Sequence, residues 1–298
     1  MSRYGMPWQG SKSRIAEWVV DILPPAHTLV DLFAGGGAVT HCALLSGKWE
    51  HIIANDMTDS MMVFCAAING EFDGYAVCPS REEWQRYRET DTALALLHSF
   101  GNDKTTYLWG EELEAVKRPA SLMVSAPSLW ERYQWYHRFI DALAEYYGND
   151  GSGRVSELQG VENTARLVQL ERVTRLQWLE RVTRLQGLQG LQGDYRLVDI
   201  PEGATVYADP PYRGTPNSSR YGAFDFDAFD QWLGGVDFPV FVSEFDAPAG
   251  CVEIASTERT TSMTANTTDK CTERIFVQER FYEQCRPKSL FDFMTEDE

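Results

Sequence analysis

Residues 29–37 read Leu-Val-Asp-Leu-Phe-Ala-Gly-Gly-Gly, and residues 51–56 read His-Ile-Ile-Ala-Asn-Asp. Leu29 to Phe33 has the length and composition of a short buried strand. The glycines that follow make a tight turn, because glycine reaches backbone angles closed to other residues. Ala38 to Leu45 reads as a helix, and His51 to Ala54 as a second strand ending at Asn55 and Asp56. Strand, glycine turn, helix, strand, acid is the opening unit of a doubly wound nucleotide-binding sheet. Asp56 stands 21 residues after Gly35, where an acid can bind ribose hydroxyls. No Gly-Lys-Ser/Thr follows, which argues against a phosphate-binding P-loop. The third glycine of a dinucleotide fingerprint is also missing at its offset.

Outward from this unit the pattern stays α/β. Upstream, Ile15, Trp18, Val19 and Ile22 fall at helical spacing, and Pro24-Pro25 ends that helix. Downstream, Asp59 to about Tyr147 is mostly helical and rich in aromatics. Ser128 to Tyr147 reads as one long helix with an aromatic stripe expected to face a core; base stacking is the alternative. Residues 148–153 form a flexible break. From 161 to 193 apolar residues recur on every third position, and LERVTRLQ at 170–177 returns at 179–186. That period fits neither a 3.6-residue helix nor a two-residue strand. A 3₁₀ run, a small solenoid and a low-complexity spacer remain open. Thr205 to Ala208 is a strand, Phe226 to Leu233 a helix, Val240 to Ser243 a strand, and a hairpin is expected around Arg274 to Val277. The tail from Leu290 is acidic.

The chain has 298 residues and a net charge of −17. It suits one large domain or one domain with a sizeable insertion. No apolar run approaches the roughly 20 residues that span a bilayer, and no charged-then-apolar leader opens the chain, so a cytoplasmic protein without a membrane partner is expected. The six cysteines form no CxxC pair and read as reduced thiols. The five histidines share no spacing and read as structural or surface residues; no metal site is expected. The acidity disfavours general DNA affinity, so any DNA-binding face has to be local. Residues 151–197 carry seven Arg against five acids, leaving −19 on the remainder.

The strand at 205–208 runs into Asp209-Pro-Pro-Tyr212. An acid, a stiff Pro-Pro and an aromatic ring at a strand end can accept hydrogen bonds from an amino group and stack on a flat base. Pro-Pro that merely stops a strand is the plainer alternative. Preceded by Trp8, Gly10 and Lys12 and by the Asp31-Leu-Phe-Ala-Gly-Gly-Gly37 loop, this tip resembles the DPPY motif of the Dam-type DNA N6-adenine methyltransferases, in the order of their alpha group. The resemblance covers roughly residues 4–66 and 194–243.

The resemblance implies a Rossmann-like S-adenosylmethionine-dependent methyltransferase sheet with an inserted, mostly helical target-recognition region. The catalytic parts would be 1–66 and 194–298, and the insert 67–193. S-adenosylmethionine would be the cofactor and double-stranded DNA the partner. There is room for a companion restriction endonuclease, in a cell or a phage, and for a monomer or weak dimer. Trp8, Gly10 and Lys12 would contact the cofactor's methionine end, and Asp31, Phe33, Ala34 and Gly35 would line its loop. Asp56 would hold the ribose, with Asp194 and Tyr195 beside the adenine. In the catalytic tip Asp209, Pro210, Pro211 and Tyr212, Asp209 and the Pro210 carbonyl would accept from the target amino group and Tyr212 would stack on the extruded base. Cytosine-N4 or RNA adenine methylation, and a catalytically inactive DNA-binding or DNA-mimic protein, are the alternatives.

Overall fold

The computed structural model describes residues 4–6, 8, 10–69, 77–100, 104–147, 187–213, 224–264 and 267–286. Two compact units divide the chain. One takes Lys12–Met62 with Gln186–Glu298, the other Met1–Ser11 with Val63–Leu185.

The first unit contains the expected α/β, Rossmann-like sheet. Its strands are β1 (Thr28–Asp31), β2 (His51–Asp56), β3 (Leu188–Gln192), β4 (Thr205–Ala208), β5 (Val240–Glu244), β6 (Cys251–Thr264) and β7 (Thr267–Gln278). They lie in the order β3-β2-β1-β4-β5-β7-β6. The first five are parallel, and β7 joins β5 antiparallel. Every residue of β1, β4 and β5 is buried. That explains their unbroken apolar runs, since central parallel strands are covered on both faces. The β6–β7 pair is the hairpin expected around Arg274 to Val277.

Helix α1 (Ala16–Ile22) ends at Leu23, just before Pro24-Pro25. Helix α2 (Ala38–Ser46) follows the glycine turn, with Gly37 at its N-cap at φ 72°, the left-handed region that favours glycine. Further along the chain lie α3 (Ser60–Ile68), α4 (Arg81–Tyr87), α5 (Thr92–Leu97), α6 (Glu111–Ser125), α7 (Leu129–Tyr147), α8 (Phe226–Gly235) and the short α9 (Tyr282–Cys285). Phe229 and Leu233 of α8 join Val30, Val206 and Val242 in one apolar cluster that also takes in Tyr195.

Residues 188–192, expected within the insert at 67–193, form the edge strand β3 of the sheet, in register with Ile52 to Asp56. Leu188 and Leu191, three apart, therefore project to opposite faces of the sheet. Residues 161–186 of the three-residue repeat lie outside the described residues, as does the acidic tail.

The second unit is helical among its described residues. Ser80 caps α4 through a reciprocal box with Glu83, and Trp84 is buried with its ring 5.6 Å from that of Tyr107. Helices α6 and α7 pack through Val116, Ala120, Phe139 and Leu143. The aromatic stripe of α7 departs from the expected core placement. Phe139 is buried, but Trp130 is 69% exposed, and Tyr133 and Tyr136 are exposed as well. Helical periodicity locates a face and does not say whether anything covers it. None of the described helices is long and apolar enough to cross a membrane.

Candidate active site

The sheet brings together the carboxyl ends of β1, β2 and β4, the end at which open α/β sheets bind ligands. Asn55 organises the turns there. Its side-chain amide donates to the Leu32 carbonyl (3.1 Å) and the Gly193 carbonyl (3.0 Å), and its own carbonyl accepts from Ala34 N–H (2.8 Å). Asp56, beside it, accepts from Gly35 N–H at 2.9 Å on one oxygen. The other oxygen accepts from the Thr58 backbone N–H (2.9 Å) and hydroxyl (2.7 Å). Asp56 thus holds the glycine loop in place, a role its ribose assignment did not foresee.

Asp31 ends β1 and is 1% exposed. Thr40 of α2 donates to its Oδ2 at 2.7 Å. Its Oδ1 is buried and has no hydrogen-bond partner among the described residues. Burial, opposed by the Thr40 bond and reinforced by the charges of Asp209 and Asp56, pushes its pKa up to about 7.

Asp209 follows β4. The Lys12 ammonium lies 2.8 Å from Asp209 Oδ1 and 4.3 Å from the centre of the Tyr212 ring. Tyr212 is buried and donates its hydroxyl to Glu273 Oε2 of β7 at 2.6 Å. Phe245 meets the same ring edge to face at 4.5 Å. Burial raises the Asp209 pKa, Lys12 opposes that rise, and the Glu273 charge adds to it. Glu244, at the end of β5, accepts from the backbone N–H groups of Arg213 (3.1 Å) and Phe245 (2.8 Å), clamping the chain just after the tip. Its pKa rises to about 7, chiefly through burial.

Within this unit Lys12, Asp31, Asp56, Asp209 and Tyr212 thus gather at one end of the sheet. Lys12 engages the acid of the tip, where the resemblance had assigned it to the cofactor's methionine end. Pro210 is buried and Pro211 partly so. Phe33 packs on Tyr195, ring centres 5.0 Å apart, among Phe229 and Phe224. The Asp194 carboxylate pairs with Arg196 and caps the 3₁₀ turn Tyr195–Leu197. Trp8 and Gly10 belong to the helical unit. There Gly10, at φ 78°, sits in a turn closed by Ser11 N–H on the Trp8 carbonyl (3.3 Å), and Lys104 lies over the Trp8 ring. Sequence reasoning missed Glu273 and Glu244. Glu273 is 61 positions from Tyr212 and sits within a strand, so no spacing announces it; Glu244, an acid closing an apolar strand, was the more visible of the two.

Residues 8–114 match the family model of the D12 class N6 adenine-specific DNA methyltransferases. The Dam-type resemblance is borne out over that stretch. It contains the glycine loop and Asp56, and it ends before Asp209. A methyltransferase of this class implies S-adenosylmethionine as methyl donor. No curated protein matches the chain. Among solved structures, a candidate RNA methyltransferase from Pyrococcus horikoshii aligns over 89% of this chain and 80% of that one, at 11% identity and a TM-score of 0.32. At that level it bears on neither fold nor function.

Proposed function

We propose that the protein transfers a methyl group from S-adenosylmethionine to the N6 amino group of adenine in double-stranded DNA, with the target base turned out of the helix. The observation that carries this is the cluster at the end of β4, where Asp209 is held between the Lys12 ammonium and the neighbourhood of Tyr212 and Glu273.

The cofactor's chemistry fits the residues present. Its sulfonium and ammonium groups are cationic, and Asp31 offers a buried carboxylate oxygen that lacks a partner among the described residues. Asp31 and the Gly35 loop would hold that end, and Asp56 the ribose. Bound S-adenosylmethionine supplies an electrophilic methyl group.

The chain's own groups do the rest. An exocyclic amine is a poor nucleophile because its lone pair is delocalised into the ring. Asp209 Oδ1 pairs with the Lys12 ammonium at 2.8 Å, so it is placed to accept from the amino group. With the Pro210 carbonyl as second acceptor, the nitrogen is drawn toward a pyramidal form with an available lone pair. Lys12 has to withdraw for the base to reach Asp209 and the Tyr212 face. Glu273 fixes the ring through its hydroxyl, and Glu244 fixes the backbone beyond it. Orientation of the two reactants then supplies much of the acceleration. Turning the base out costs a few kcal/mol, partly offset by stacking in the pocket. DNA contact is assigned to the helical unit, where Trp130, Tyr133 and Tyr136 offer exposed rings.

Incubation with DNA and labelled cofactor, followed by sequencing of the product for modified bases, tests this. N6-methyladenine is expected. Asp209→Ala should abolish transfer while DNA binding persists. Transfer that survives in that variant removes Asp209 from the site, and label on cytosine N4 or on RNA replaces the substrate.

A further inference from the structure

The amino-terminal ends of β1 and β2, opposite the cluster just described, carry a second group of chemistry-bearing side chains. We propose that His27, Glu50 and His51 form a binding site for a divalent transition-metal ion of the zinc type. One ligand atom from each lies within 4.8 Å of the others. Among the described residues no other three His, Cys, Asp or Glu are so arranged. His27 Nδ1 is 3.5 Å from Glu50 Oε2, and the two imidazole rings meet edge to face with centres 4.7 Å apart.

The backbone fixes this meeting. The His27 carbonyl accepts from the N–H groups of both Glu50 and His51 at 3.1 Å. The parallel register then sets Thr28 beside His51. The side chains themselves are exposed, 65% for His27 and 79% for Glu50, so their rotamers are free to close on an ion. A tetrahedral zinc ion with bonds of about 2.0–2.1 Å needs donor atoms roughly 3.4 Å apart, a closure of up to about 1.4 Å from the present spread. Two imidazoles are borderline ligands that, joined by one carboxylate, suit zinc, cobalt and nickel over magnesium or calcium. A cleft of about 340 Å³ opens against Thr28, His51, Gly187 and Pro201. Water or a small anion has room to complete the coordination there. A bound ion would tie the α1–β1 loop to the start of β2.

Cobalt(II) titration of the chelator-treated full-length protein, without DNA or cofactor, tests the site. One equivalent should bind, with the visible absorption of a four- or five-coordinate ion and no thiolate charge-transfer band, and zinc should displace it. The His27→Ala/His51→Ala double variant should lose that spectrum while its far-ultraviolet circular dichroism is unchanged. Glu50→Gln should weaken binding by at least the roughly tenfold that loss of even an outer-shell partner costs. Binding that persists in the double variant, a thiolate band, or saturation only at the millimolar concentrations that scattered carboxylates of a −17 chain require overturns the assignment.

Discussion

Asp209 and Tyr212 stand three residues apart, and their chemical meaning was readable from that alone. Acid, Pro-Pro and ring form a local unit, because proline fixes the backbone between the two functional side chains. Glu273 has no such signature. It meets the Tyr212 hydroxyl only because β7 folds antiparallel beside β5. Tyr212→Phe removes that donor and leaves the buried carboxylate with one bond fewer. Hydrogen bonds to charged groups contribute roughly 1.5–3 kcal/mol, so denaturant unfolding should show a loss of that order. An unchanged midpoint would mean that Glu273 takes its stabilisation elsewhere.

At the scale of elements, the strands β1, β2, β4 and β5 and the helices α1, α2 and α8 follow the hydrophobic pattern to within a few residues. Short buried strands keep an apolar run, and Pro24-Pro25 and the glycine turn mark the breaks. Strand β3 was hidden because its residues belong to a repeat of period three, which announces neither strand nor helix. Its entry depends on Gly187, at φ 105°, whose carbonyl accepts from Ile52 N–H at 2.8 Å. A Cβ at that position would lie 2.3 Å from the Glu50 carbonyl oxygen. Gly187→Ala should therefore destabilise the sheet edge by about 1–3 kcal/mol. Thermal unfolding measures the loss, and a variant as stable as the parent would show that the edge re-forms by another path. The stripe on α7 shows the converse limit. Its spacing is helical, yet its burial depends on a neighbouring surface that no local pattern encodes.

Over the whole molecule, pH links the site to stability. The Asp31 pKa is raised from 3.8 and that of Glu244 from 4.5, each to about 7. Such groups bind their protons more tightly folded than unfolded. Their contribution is present on the acid side and is lost as pH rises toward 7. Deprotonation also adds to the self-repulsion of a chain at −17, with the same sign. Glu83, held down to about 2 mainly by Arg118, acts oppositely: its stabilisation is lost as pH falls below 4.5. Maximum stability is therefore expected on the acid side of neutrality. Asp31→Asn, which keeps an acceptor for Thr40, should flatten the decline between pH 4.5 and 7 in a melting series. A slope equal to the parent's would remove Asp31 as its source.

By itself the amino-acid order determined the strand–glycine–helix–strand opening, the acids at its turns and the tip Asp209-Pro-Pro-Tyr212, because each is a contiguous stretch whose local chemistry carries its own signal. Only the tertiary structure decided that Lys12 holds Asp209, that Glu273 and Glu244 secure the tip, and that His27 meets Glu50 and His51. Those contacts join residues brought together by parallel and antiparallel register, and register is settled by the packing of the whole sheet.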